Sequence, residues 1–223
     1  MPEQPASKPG PPSPRRAAAV LTKLAALYPD HPLEVKGAEP FRVLVATMLS
    51  ARTQDPTTNA AMRRLWQNAS TPDAILQITE DDLAAILKPV GFYKTKARNL
   101  HKLCRVLIDS FGRQVPATRE ELMQLSGVGR KTANLILNVC FGIPAICVDT
   151  HVHRIVNRLG WVATNTPEET ENTLAEIVPK KHWAALNRVL VNHGQRICNP
   201  VSPKCSQCAI AGYCEKRNVL KFR

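Results

Sequence analysis

From Arg15 the chain reads RRAAAVLTKLAALYPD, with apolar residues at Ala17, Val20, Leu21 and Leu24. That i, i+3, i+4, i+7 spacing predicts a helix with one buried face, ending near Pro29. The rhythm persists along the chain. FRVLVATMLSA is too apolar for a surface and reads as a buried helix, with strand the lesser option because of its β-branched residues. PTTNAAMRRLWQN puts a proline at a helix start. DDLAAILKPVG has acids in its first turn and proline and glycine at its end, as the helix dipole and C-terminal geometry favour. In TREELMQL, Thr118 followed three residues later by Glu121 matches a capping box. The same periodicity predicts helices over 97–109, 132–141, 149–159, 167–178 and 181–197. The fold class is all-α, built from many short helices.

Composition narrows the picture. With 223 residues and 44% hydrophobic content, the chain can bury one large core or two small ones. No apolar run reaches the roughly 18 residues needed to span a bilayer. Residues 1–14 hold six prolines and no apolar periodicity, so they read as a disordered tail without an assigned function. That tail has no apolar stretch suited to a signal-peptide core, so a cytoplasmic, nucleoid-associated location is expected. Lys and Arg number 30 against 18 Asp and Glu, a net charge of +12, which favours polyanionic partners. Nucleic acid is the leading candidate, and a merely basic surface is the alternative. The stretch KPVGFYKTKARNLHKLCR, Lys88 to Arg105, carries six basic residues and no acid. It suits either a solvated helix face or a basic loop and helix that line up phosphates.

Four of the seven cysteines fall in the last 26 residues, in CNPVSPKCSQCAIAGYC. Cys198, Cys205, Cys208 and Cys214 are spaced C-x6-C-x2-C-x5-C, and such clustering in a chain without a secretion signal points to a metal or cluster site, not a disulfide framework. Four thiolates can enclose zinc or an iron–sulfur cluster. Structural zinc usually brings two C-x2-C knuckles, and one is present; the wide first gap suits the bulkier [4Fe–4S] core. Trp183, Leu186, Leu190, His193 and Ile197 share one helix face leading into Cys198, with His193 read as a packed, hydrogen-bonded residue and not a ligand. Cys104, Cys140 and Cys147 read as buried core thiols.

LSGVGRKTAN places Gly127 and Gly129 just before a helix, where both could take positive φ and turn backbone N–H groups outward. A helix start with free N–H groups binds anions. With Leu122, Leu125 and Val128 before it and Leu135, Ile136, Leu137 and Val139 after, the stretch forms a helix–hairpin–helix that can dock a DNA backbone without reading bases. An ordinary αα-hairpin is the alternative.

LSGVGRKTAN, then VDTHVHRIVNRLG, then the four-cysteine loop, in that order, resemble endonuclease III, the bifunctional DNA glycosylases of base excision repair. The resemblance covers everything after the proline-rich tail. It implies a helix–hairpin–helix DNA glycosylase fold: a six-helix barrel domain over 33–143, and a [4Fe–4S] cluster domain formed by 15–32 with 144–223. Duplex DNA carrying a damaged base or abasic site would lie in the cleft between them, bound by a monomer. The resemblance makes Lys131 the nucleophile, Asp149 its partner, and Cys198, Cys205, Cys208 and Cys214 the cluster ligands. DNA contacts are expected from Gly127, Val128, Gly129 and Arg130 of the hairpin, and from Lys94, His151, Arg154 and Lys204. TMLSARTQDPTTN resembles the segment that fills the space left by a flipped base, with Arg52 where a glutamine is usual, and Asp55 matches an acid of the pocket wall. GFYKTKAR resembles the wedge loop, which makes Phe92 a candidate for insertion into the base stack, core packing being the alternative.

The residue types suit these roles. An amine that attacks the sugar C1′ and forms a Schiff base must be neutral, and the positive end of the following helix and the neighbouring Arg130 both disfavour the charged form of Lys131. Asp149 could stabilise the cationic sugar and take the lysine proton, although an anion favours a charged lysine; it could equally cap the helix that follows. The expected activity is removal of oxidised pyrimidines with β-elimination at the abasic site. Two alternatives are a monofunctional adenine or mismatch glycosylase, which Lys131 argues against, and a non-catalytic DNA-binding module with structural zinc.

Overall fold

The computed structural model describes residues 12–28 and 39–223. Most of the proline-rich tail lies outside the described residues. Among those described there is helix and no strand. They form two compact units, 12–28 with 144–223, and 39–143.

In the first unit, helix α1 (Pro14–Leu27) opens on Ser13, whose hydroxyl accepts from Arg16 N–H, with Pro14 at the first helical position. It starts one residue before the basic pair that opens the apolar pattern, because the serine cap and proline nucleate it. Ala17, Val20, Leu21 and Leu24 form the buried stripe, each large aliphatic contributing about 2 kcal/mol of burial. They share a core with Ile155, Trp161, Leu174, Leu186 and Leu190, supplied by α9 (Thr150–Leu159), α10 (Pro167–Ile177), α11 (Trp183–Arg196) and the turn after α9. The continuous helix expected over 181–197 is instead a 3-10 turn at Lys180–His182 followed by α11. Gly194 lets α9 come close to α11, since a Cβ there would lie 2.4 Å from His151 Nδ1.

The second unit holds α2 (Pro40–Ser50), α3 (Asp55–Asn68), α4 (Pro72–Leu76), α5 (Glu80–Leu87), α6 (Tyr93–Phe111), α7 (Arg119–Leu122) and α8 (Arg130–Phe141). FRVLVATMLSA is helical and buries Phe41, Val43, Leu44, Val45, Met48 and Leu49. Its β-branched residues yield to tertiary burial. The one-and-a-half-turn α4 escapes periodicity because it is shorter than the window; its signal is Thr71, whose hydroxyl accepts from Ala74 N–H ahead of Pro72. Thr118 caps α7 through Glu121 N–H and also bonds the Glu121 carboxylate at 2.6 Å. Helix α6 begins four residues before the start expected at Ala97, its first turn being polar and basic. Cys104 and Cys147 are fully buried, whereas Cys140 is half-buried, which corrects its reading as a core thiol. Burial pushes the Cys104 thiol up to about 12.

Candidate active site

The hairpin forms as LSGVGRKTAN indicates, with α7 and α8 packed together around the glycine turn. Gly127 has φ +82°, the left-handed conformation that favours glycine, and a Cβ there would press Met48 Sδ and Asn99 Nδ2 at 3.3 Å. Gly129 differs from expectation: its φ of −96° and ψ of 174° are extended, as befits the N-cap of α8. Among the described residues, nothing lies within 4 Å of a Cβ placed on Gly129. Val128 is buried and its N–H closes the turn onto Leu125 O at 3.0 Å, so that N–H is spent inside the protein and does not face an anion. The exposed Gly127 and Gly129 supply the open edge of the turn.

Lys131 is exposed on the first turn of α8, directly after Arg130. The two cations stand at the positive end of a helix whose first turn contains no acid. Helix α6 repeats this, with exposed Lys94 in a first turn lacking acids. By contrast, α3, α4, α5 and α7 begin with Asp55, Asp73, Glu80 to Asp82, and Glu120 with Glu121. The dipole therefore explains the acids on those helices, and the basic residues at the starts of α6 and α8 run against it. Asp55 itself is exposed. Arg52 and Phe92 are also exposed, and the Arg52 guanidinium lies 5.7 Å from the Phe92 ring centroid. Phe92, 62% exposed, is not core packing.

In the other unit, Asp149 is the N-cap of α9. Its Oδ1 accepts from His151 N–H and Val152 N–H, both at 2.9 Å. His151 is half-buried and bonds Arg154, whose guanidinium also donates to Gly194 O and to Cys198 O at 2.8 Å. Arg154, expected at the DNA, thus ties α9 to α11 and the cysteine loop. Its donors go to backbone carbonyls because the helix ends there leave them without helical partners.

Cys198, Cys205, Cys208 and Cys214 line one cavity of about 430 Å³ of atom-free space, part of it open solvent, with Ile155, Leu159 and Ile210. Among the described residues, no three Cys, His, Asp or Glu side chains group as a single-ion site. Hydrogen-bond donors point at two of the sulfurs: Arg158 Nη1 lies 3.3 Å from Cys198 Sγ and Lys216 N–H 3.3 Å from Cys214 Sγ. Such donors suit sulfurs that carry negative charge, as ligated thiolates do. His193 Nε2 stands 3.5 Å from Cys208 Sγ. His193 is buried, its Nδ1 faces the Tyr28 hydroxyl at 3.2 Å, and burial pulls its pKa down to about 4. It is the packed, hydrogen-bonded residue that the helix face implied. Lys204 is half-buried on the cavity wall.

Arg158, beside the cysteine cavity, is a residue that sequence reading missed. Only 9% exposed, it also donates to Asn199 O and Pro200 O at 2.7 Å, holding the first turn of the cysteine loop. Its signal was a cation on the apolar stripe Val152, Ile155, Val156 and Leu159.

Comparison with known proteins accords with this geometry. The family described as HhH-GPD superfamily base excision DNA repair protein matches residues 45–180. The chain is 45% identical to endonuclease III of Thermotoga maritima, over 82% of this chain and 86% of that one. It is 38% identical to endonuclease III of Haemophilus influenzae, over 91% and 96% respectively. A solved endonuclease III in a trapped covalent intermediate with DNA, in an estranged-adenine complex, superposes with TM-score 0.85 at 37% identity, covering 92% of this chain and 97% of that one. The chain belongs to the endonuclease III family of the HhH-GPD superfamily.

Proposed function

We propose that this protein is a base-excision DNA glycosylase with abasic-site lyase activity, acting on oxidised pyrimidines in duplex DNA. The observation that carries it is Lys131, exposed on the first turn of α8 behind a glycine turn, in a chain of this family. In the reaction the neutral Lys131 Nζ attacks C1′, the C1′–N bond breaks, and the base leaves with the electron pair and takes up a proton. The nitrogen loses a proton and the sugar ring opens at C1′–O4′, O4′ leaving as a hydroxyl, which gives the imine; this acidifies the C2′ hydrogen, its removal expels the 3′ phosphate, and water then releases the lysine. Asp149, positioned by its bonds to the α9 backbone, stabilises the cationic sugar and accepts protons. The Gly127 and Gly129 N–H groups and Arg130 bind a phosphate at the hairpin, with Lys94 and Lys204 adding phosphate contacts. His151 joins them, and Asp55 forms part of the pocket wall. Arg52 and Phe92 enter the duplex where the nucleotide is extruded.

Cys198, Cys205, Cys208 and Cys214 would hold a [4Fe–4S] cluster. The cavity that the four cysteines share and the N–H groups aimed at two of their sulfurs support thiolate ligation there, and the wide first gap in the spacing favours the cluster over zinc. When bound, the cluster would supply structure, with the four cysteine thiolates fastening the C-terminal loop onto the end of α11. No helix among the described residues is long and apolar enough to cross a membrane, and a nucleoid-associated monomer in the cytoplasm suits the proposed substrate.

Incubation with a duplex carrying thymine glycol tests the reading. Release of the base together with strand cleavage to a 3′ unsaturated aldehyde is expected. Base release that leaves an intact abasic strand would favour the monofunctional alternative. A broad visible absorption band is expected of the protein purified without air; a colourless, zinc-loaded protein would refute the cluster.

A further inference from the structure

Three exposed non-glycine residues of the 39–143 unit have positive φ, Arg113 at +70° after α6, Arg52 at +53° after α2 and Phe92 at +57° before α6, and of these Arg52 and Phe92 form a pair. That conformation costs about 1 kcal/mol or more for an L-residue and persists only where its surroundings enforce it. The enforcing group is Lys96, 7% exposed on α6. Its Nζ donates to Leu49 O at 2.8 Å, Ala51 O at 2.6 Å and Thr53 Oγ1 at 3.1 Å. An ammonium has three donors, and all three are used.

The Thr53 hydroxyl is used just as fully. It accepts from Lys96 and from Gly91 N–H at 3.1 Å, and donates to Ala51 O at 3.3 Å. At Gly91 a Cβ would stand 2.8 Å from Arg52 O, so the two segments touch through backbone. The network therefore joins the end of α2 to the start of α6, and it brings the Arg52 guanidinium over the Phe92 ring. A lysine that only capped α2 would require neither the bond to Thr53 nor a strained, solvent-facing phenylalanine beside it.

We propose that Lys96 is a positioning residue, whose buried ammonium holds Arg52 and Phe92 as one rigid two-pronged element that enters the base stack during nucleotide extrusion. This rests on the glycosylase reading. Extrusion is needed for excision from a duplex and is not needed for β-elimination at an abasic site in single-stranded DNA, so the two substrates separate positioning from general integrity.

Thr53→Val removes the hydroxyl hub while keeping the side-chain shape, and Lys96→Met removes the ammonium. Each is expected to lower single-turnover excision from a lesion-bearing duplex by about 10- to 100-fold while changing single-strand lyase activity less than about twofold. Fluorescence of 2-aminopurine beside the lesion, which rises on unstacking, should rise less with both variants than with the unmodified protein. Should Lys96→Met fail to fold, Thr53→Val decides. Duplex excision equal to that of the unmodified protein, or an equal fall on both substrates, overturns the positioning role. Failure of the unmodified protein to act on either substrate overturns the glycosylase reading itself.

Discussion

One carboxylate oxygen of Asp149 closes the first turn of α9, so substitutions there separate capping from charge. Asparagine caps about as well as aspartate, and alanine costs about 1 kcal/mol. Asp149→Asn should keep thermal stability within about 0.5 kcal/mol, and Asp149→Ala should lose about 1 kcal/mol. Both should lower single-turnover excision by about 10²- to 10³-fold, because both remove the anion. Full excision by the asparagine variant would reduce Asp149 to a cap. At this scale the four cysteines stand out in the sequence by their spacing, whereas Lys131 and Asp149 are singled out by the resemblance to endonuclease III. The sequence hid Lys96 and Arg158, because their partners are carbonyls 45 to 47 and 41 to 42 residues away in the chain. It also placed Arg154 at the DNA, where the fold employs that guanidinium on Gly194 and Cys198.

At the scale of elements, the hairpin makes opposite demands on its two glycines. Gly127→Ala must adopt φ +82° against Met48 and Asn99, and should cost about 1–2 kcal/mol by denaturant unfolding. Gly129→Ala meets open space at an ordinary φ, so stability should hold or rise by about 0.4–1 kcal/mol. Its methyl group nevertheless stands beside the N–H offered to a phosphate, and duplex affinity should fall about tenfold. Unchanged affinity in Gly129→Ala would remove that N–H from the DNA contact. Helix existence was legible wherever an apolar stripe ran for two turns or more, as in α1 and α2. Short α4 and the 3-10 turn before α11 were not, since neither spans enough residues to show a period, and the basic first turn of α6 concealed its start.

For the whole molecule, a net charge of +12 implies salt-dependent DNA affinity. Lys94→Ala and Lys204→Ala should each reduce the slope of log affinity against log salt by about 0.9, weakening binding alike on lesion-bearing and undamaged duplexes. A slope unchanged by either would place that lysine off the phosphates. Charge alone could not separate a DNA enzyme from a basic surface. Lys131 and the downstream cysteine spacing made that distinction, and the share of chain matched by the endonuclease III relatives agrees with it. Borohydride reduction during reaction with a duplex carrying an abasic site captures the proposed imine between Lys131 and the sugar: a covalent protein–DNA adduct that maps to Lys131 and is absent with Lys131→Ala is expected, and an adduct that persists in Lys131→Ala, or none with the unmodified protein, rules out Lys131 as the nucleophile.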